Sequence, residues 1–419
     1  MIRQPQRGVA LFDINPRMES LALMVIFLVA AISATPAQAQ TFTILHNFTG
    51  GQDGESPGTG LSMDRAGNLY GTADGTADHD GLVFKMTNRG GNWLLTPLYN
   101  FSGEFDGVGP NTTPTIASNG ILYGTTANGG SNDLGSVYRL RPPATPPRSV
   151  ESPWTHTLLY SFGYERDGFG PTGELTLDQA GNIYGTTEFN GAGGNGMTYE
   201  LTLSDGEWTE NVLFSPTGYQ GAGQIDGGVI FDNAGNLYGV MENGGQYSMG
   251  GVYELSPSSS GWSAQFIYSF ADYGTGVAPV GGLIMDALGN IYGSTVTGGS
   301  GNGGIVFELS PSDGGWTFTL LANLTGPRGS GPTERLAMDA AGNVYGTTVK
   351  GGAHQFGSVF KLTPSGGGWT FTTLHDFTGT GFDGAFVYGG PLVDANNNVY
   401  GTASVAGEND KGIVWEITP

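Results

Sequence analysis

A chain of 419 residues with 15 Lys+Arg against 37 Asp+Glu carries a formal net charge of −22. That sign excludes counterion-release binding to nucleic acid and attraction to anionic lipid, both of which need a basic surface. With no Cys the fold has no disulfides and must be held by its core, while 75 Gly announce a chain dominated by turns.

The first 39 residues read as a secretory signal. Arg3, Arg7 and Arg17 form a basic n-region, Leu21 to Ile32 an apolar h-region too short for a comfortable span, and Ala37-Gln38-Ala39 an A-x-A cleavage site. A retained anchor is the other reading of that segment, and a start at Met18 would weaken the n-region. Cleavage would start the mature chain at Gln40 and leave 12 basic and 35 acidic residues. No second apolar segment follows. The expectation is therefore a secreted, periplasmic or cell-surface protein without a membrane span in its mature form.

From Gln40 onward one unit repeats. The tyrosine of a Tyr-Gly pair falls at Tyr70, Tyr123, Tyr184, Tyr238, Tyr292, Tyr345 and Tyr400, in steps of 53, 61, 54, 54, 53 and 55 residues. The long step holds a proline-rich insertion, Arg141 to Trp154. Each unit predicts four short strands; in the sixth they are Glu334–Asp339, Asn343–Thr348, Gly357–Pro364 and Trp369–Phe377. No long segment has a 3.6-residue apolar period, so helix should be scarce.

The two ends complement each other. Thr41 to Phe48 matches the fourth strand Thr370 to Phe377, whereas the chain ends on a third strand, Gly412 to Pro419. A ring in which the N-terminal strand completes the last blade explains both, where an open solenoid would leave two raw edges. The predicted fold is all-β: one domain, residues 40–419, folded as a seven-bladed β-propeller closed by one N-terminal plus three C-terminal strands.

The units resemble the GloVer-type tandem repeats of secreted bacterial proteins, through the pattern Asp-x-x-Gly-Asn-aliphatic-Tyr-Gly-Thr-Thr, then Gly-Gly, then Gly-x-Val-aromatic-Lys/Glu-Leu-Thr/Ser-Pro. The resemblance spans the seven units and implies an extracellular repeat propeller, with no assigned activity or functional residues. The first two strands are also similar to NHL-type repeats.

Asp64, Asp178, Asp232, Asp286, Asp339 and Asp394 precede the motif tyrosine by six residues. A carboxylate there suits the backbone N–H groups of a hairpin turn, and six spread over separate blades cannot converge on one substrate. Gly67, Gly120, Gly181, Gly235, Gly289 and Gly342, with Asn397 in the seventh unit, supply the positive φ of that turn. Unit two has Ala117 in place of the Asp and Ile121 in place of the Asn that follows the glycine. Trp93, Trp154, Trp208, Trp262, Trp316 and Trp369 open the fourth strands and are expected to pack between blades; a sugar-stacking ring is the sharper reading. His46 and His375 fall where other blades carry tyrosine and are expected as packing residues.

Symmetry repeats scaffold, so specific chemistry should lie where units differ near the axis. Glu174 stands where other units have Gly60, Gly228 and Gly282; Glu334 and Arg335 replace another small pair; Asp226 lies at the equivalent rim of unit four. These four are the candidate ligand-binding residues, expected to form a charged rim at the channel mouth. The loop face should gather Asp53, Asp74, Asp78, Asp80, Asp106, Asp133, Asp167, Asp226 and Asp383. No catalytic residue is assigned: no Ser-His-Asp pattern, paired histidines or zinc motif appears. The favoured function is a non-enzymatic, monomeric binding scaffold for a glycan or protein. The alternative is a calcium-dependent lactonase or phosphotriesterase-like hydrolase at the channel mouth, with calcium held by Glu174, Asp226 and Glu334. No other cofactor is expected.

Overall fold

The computed structural model describes residues 40–419, apart from 77–78, 104, 144–153, 165–167, 190–193, 218–222, 260 and 382. The signal-like segment, most of the proline-rich insertion, Asp78 and Asp167 lie outside the described residues. Thr41–Thr418 forms one compact unit of seven antiparallel sheets in a ring, and the described residues contain no α-helix.

Blade 7 is closed as the chain ends predict. Thr41–Asn47 pairs antiparallel with Ile413–Thr418, which pairs in turn with Val399–Ala403 and then Leu392–Val393. This arrangement leaves neither end of the chain as a raw edge of the ring.

Blade 6 shows why the repeat reads as it does. Its second, third and outer strands, Val344–Thr348, Ser358–Ser365 and Gly368–Asp376, fall where expected. The innermost strand is shorter than predicted, only Ala337–Met338. The reason lies at the axis. In blades 3, 4 and 5 the inner strands run Phe169–Leu177, Ile225–Phe231 and Val277–Met285, but pairing skips from Thr172 to Thr176, Asp226 to Ile230 and Val280 to Ile284. The chain bulges there. In blade 6 the corresponding Glu334–Leu336 falls outside the ladder altogether.

The motif glycine has a packing cause. Gly71, Gly124, Gly185, Gly239, Gly293, Gly346 and Gly401 pair with Phe84, Tyr138, Tyr199, Tyr253, Phe307, Phe360 and Trp415 of the third strand. Those aromatics are among the largest fully buried side chains. A Cβ at Gly346 would stand 2.3 Å from Phe360 Cζ, so each ring lies on bare backbone.

Blades pack through the residues that open the outer strands. Trp93 meets Tyr400, Trp154 meets Tyr70, Trp262 meets Tyr184, Trp316 meets Tyr238 and Trp369 meets Tyr292, at 5.9–6.5 Å and steep interplanar angles. Each pair joins one blade's outer strand to the preceding blade's second strand, which places these tryptophans in inter-blade packing.

Candidate functional site

The hairpin aspartates build turns. Asp339 Oδ1 accepts the N–H groups of Ala341 and Asn343, and Oδ2 accepts the Asn343 amide at 2.6 Å and the Tyr345 hydroxyl at 2.9 Å. The same net recurs at Asp64, Asp232 and Asp286. Burial raises these four carboxyls, but the asparagine amide, tyrosine hydroxyl and backbone N–H donors outweigh it and hold them below the ordinary value. In blade 2, which lacks the carboxylate, Asn119 Oδ1 accepts the N–H of Ile121 instead. Asn397 takes φ 65° where the other turns have glycine.

Much of the acid on the loop face is likewise engaged in loop structure. Asp53 lies 2.9 Å from His46 Nε2, Asp383 lies 3.0 Å from His375 Nε2, and Asp106 accepts the Tyr99 hydroxyl at 2.8 Å. Each also accepts a backbone N–H, from Thr49, Thr378 or Ser102. His375 stacks on Phe42, ring centroids 3.8 Å apart. The histidines therefore pack as expected, with an aspartate partner seven or eight residues away that sequence reasoning missed. Asp133 accepts the N–H of Gly129.

At the axis the bulges of neighbouring blades touch backbone to backbone. A Cβ at Gly173 would lie 2.0 Å from Gly228 N, one at Gly227 2.2 Å from Gly282 N, and one at Gly389 2.4 Å from Thr59 O. Threonines of the second strands lock this layer. Thr186 donates to Gly227 O at 2.7 Å, Thr347 to Gly389 O at 3.0 Å and Thr402 to Thr59 O at 2.7 Å, each into the next blade. Sequence reasoning gave these threonines only a strand role.

The four candidate residues interrupt this glycine-rich layer, and they divide. Glu174 and Arg335 both stand ten residues before their motif tyrosines, three blades apart in the ring of seven. They form a salt bridge of 2.7 Å, so the pair spans the axis. Glu334 lies beside it, facing the negative charges of Glu174 and Asp226, with the Arg335 N–H donating to its carboxylate. Burial first, then those two neighbours, push its carboxyl up to about 8. Asp226 sits on the loop side of the layer. Its Oδ1 accepts the Gly227 N–H at 2.8 Å, and burial first, with Glu242 adding, raises it to about 6. Asp226 and Glu242 in turn add to the burial that raises Glu188, whose Oε1 accepts from Gln224 at 2.7 Å.

The expected single rim is therefore two sites. Glu174, Glu334 and Arg335 line a cavity of about 310 Å³ together with Gly60, Met285, Met338 and Leu392. It adjoins a second of about 770 Å³, walled by Thr115, Ser118, Asn119, Tyr123, Gln179 and again Glu174 and Arg335. The hairpin Asp178–Gly181 belongs to that wall, so this basin opens at the hairpin face, opposite the acidic loops.

The residues do not fit a calcium cage. Calcium takes six to eight oxygens, several from carboxylates. Here Arg335 holds Glu174, Asp226 stands with a different cluster, and among the described residues no group of three or more His, Cys, Asp or Glu is placed to hold a metal ion.

Seven four-stranded blades, a repeat of constant register and an axial layer of glycines define a tandem-repeat β-propeller. The family model of the Gloeobacter/Verrucomicrobia repeat matches residues 30–229, 98–284 and 224–419, and the chain belongs to that family. No curated protein matches it. Among solved structures, a protein from Lactobacillus plantarum is 14% identical with TM-score 0.51, over 75% of this chain and 83% of its own. A protein provisionally described as a gluconolactonase is 14% identical with TM-score 0.39, over 73% and 87%. One from Thermus thermophilus, provisionally described as an oxidoreductase (glucose dehydrogenase), is 16% identical with TM-score 0.42, over 90% and 99%. At such identities likeness speaks to fold alone.

Proposed function

We propose that the protein is an exported, monomeric, non-enzymatic propeller that binds a glycan in the axial basin of the hairpin face. One observation carries this reading: the basin departs from the repeat where the repeat is otherwise spent on architecture. Its walls offer the Ser118 hydroxyl, the Gln179 amide and the Asn119 amide N–H groups, with Thr115, whose hydroxyl donates to Leu175 O, beside the Glu174–Arg335 pair. Convergent polar groups in a concave site suit a polyhydroxylated ligand. The calcium-dependent hydrolase would need a carboxylate cage that these residues do not make.

The test is a screen of the purified protein against immobilised glycans, repeated with Ser118→Trp. Ser118 is exposed on the basin wall, so the indole fills the basin without disturbing the core. Expected is a reproducible hit weakened roughly tenfold or more by Ser118→Trp. A screen without hits, or a hit indifferent to the substitution, overturns the proposal. Calcium is expected to leave the melting temperature unchanged. A rise reversed by chelator and lost in Glu334→Ala would support the hydrolase instead.

A further inference from the structure

We infer that the glycan carries a free amino group, and that its ammonium docks on Glu334 in the smaller axial cavity. The inference rests on the glycan reading of the basin and deepens it.

The charges of the cavity do not balance. Arg335 is the one cation among its lining residues and is committed to Glu174 at 2.7 Å. Glu334 receives the Arg335 N–H and feels the Arg335 charge that Glu174 already holds, while facing the like charges of Glu174 and Asp226. Ionised, it leaves the cavity one positive charge short, in surroundings where a charge is costly without a partner. Burial first, then those carboxylates, push it up to about 8 against the pull of Arg335. A ligand ammonium supplies that charge and three donors at once. A neutral sugar supplies hydroxyls but no charge.

The space fits the remainder of such a ligand. A cavity of about 310 Å³ is at the small end of small-molecule sites and suits one ring. Met285, Met338 and Leu392 offer apolar surface for its C–H face. The adjoining cavity of about 770 Å³, with its hydroxyl and amide groups, continues away from the axis for further rings. Glu188 and Glu242 line neither cavity, and Glu188 provides a control.

The experiment is calorimetric titration of the full chain with glucosamine oligomers and with their N-acetylated counterparts, which keep the ring and lose the charge. The amino forms are expected to bind at least roughly tenfold more tightly, the size of one charge-assisted hydrogen bond. Glu334→Gln, isosteric and uncharged, should bring the two forms to parity. Glu334→Asp should keep the preference at reduced affinity, and Glu188→Gln should keep it intact. Equal binding of both forms by the unaltered protein, or a preference that survives Glu334→Gln, overturns the inference and leaves the glycan basin standing. Failure of both oligomers while another glycan binds does the same. Failure of every glycan overturns both readings.

Discussion

Gly346 shows how a single residue can be repeated for packing rather than for chemistry. Its φ is not in the left-handed region, so the backbone would accept a side chain. Space would not: a Cβ would meet Phe360 Cζ at 2.3 Å and Leu336 Cδ2 at 2.8 Å. Gly346→Ala should therefore destabilise the protein by about 1–3 kcal/mol, the usual cost of overpacking a core. Thermal denaturation would measure it, and Phe360→Leu in the same chain should return part of the loss, because the two sites share one contact. Additive effects would sink this account. The hairpin residues were legible for the same local reason. The backbone bonds to Asp339 were placed by sequence spacing alone, while the Asn343 amide and Tyr345 hydroxyl that also reach it were not foreseen. The partnership of His375 with Asp383 is nearly as local but was not foreseen. Its signal was the spacing of seven or eight residues shared with His46–Asp53 and Tyr99–Asp106.

At the scale of the strand, the second strand does more than complete a sheet. Thr402 is buried, and its hydroxyl reaches Thr59 O across the joint where the last blade meets the first. Without that hydroxyl the carbonyl of Thr59 loses a partner in the axial layer. Thr402→Val keeps the shape and removes the donor, and should cost about 1–3 kcal/mol. Urea denaturation would show it as a lower midpoint at unchanged slope. A midpoint equal to that of the parent would mean that the bond contributes nothing. The outer strands, blade number and ring closure were all legible, because strand-forming runs between turns and repeat length are properties of contiguous sequence. The short inner strand at Ala337–Met338 was not, because the bulge answers to a neighbouring blade. The same holds for Glu174 and Arg335. Their register positions were visible, but that Arg335 pairs with Glu174, three blades away, depends on the ring.

The whole molecule should be most stable on the acid side of neutrality, because its shifted carboxyls pull in opposite directions. Asp64, Asp232, Asp286 and Asp339 are held below their ordinary 3.8, so they stabilise the fold above that pH and the contribution is lost as pH falls through their folded values. Glu334 runs the other way. Its carboxyl is raised from 4.5 to about 8, so between those values the folded protein keeps a proton that the unfolded chain has released. Stability therefore falls as pH rises across that window. Asp226, raised from 3.8 to about 6, adds the same slope over a narrower range. The net charge of −22 adds self-repulsion in the same direction. Melting temperature should peak near about pH 5 and decline toward pH 9. Glu334→Gln should match the parent at pH 5 and exceed it at pH 9, by about 1–3 kcal/mol, because the amide cannot acquire the unpartnered charge. A variant offset from the parent by the same amount at both values would place the effect in packing instead.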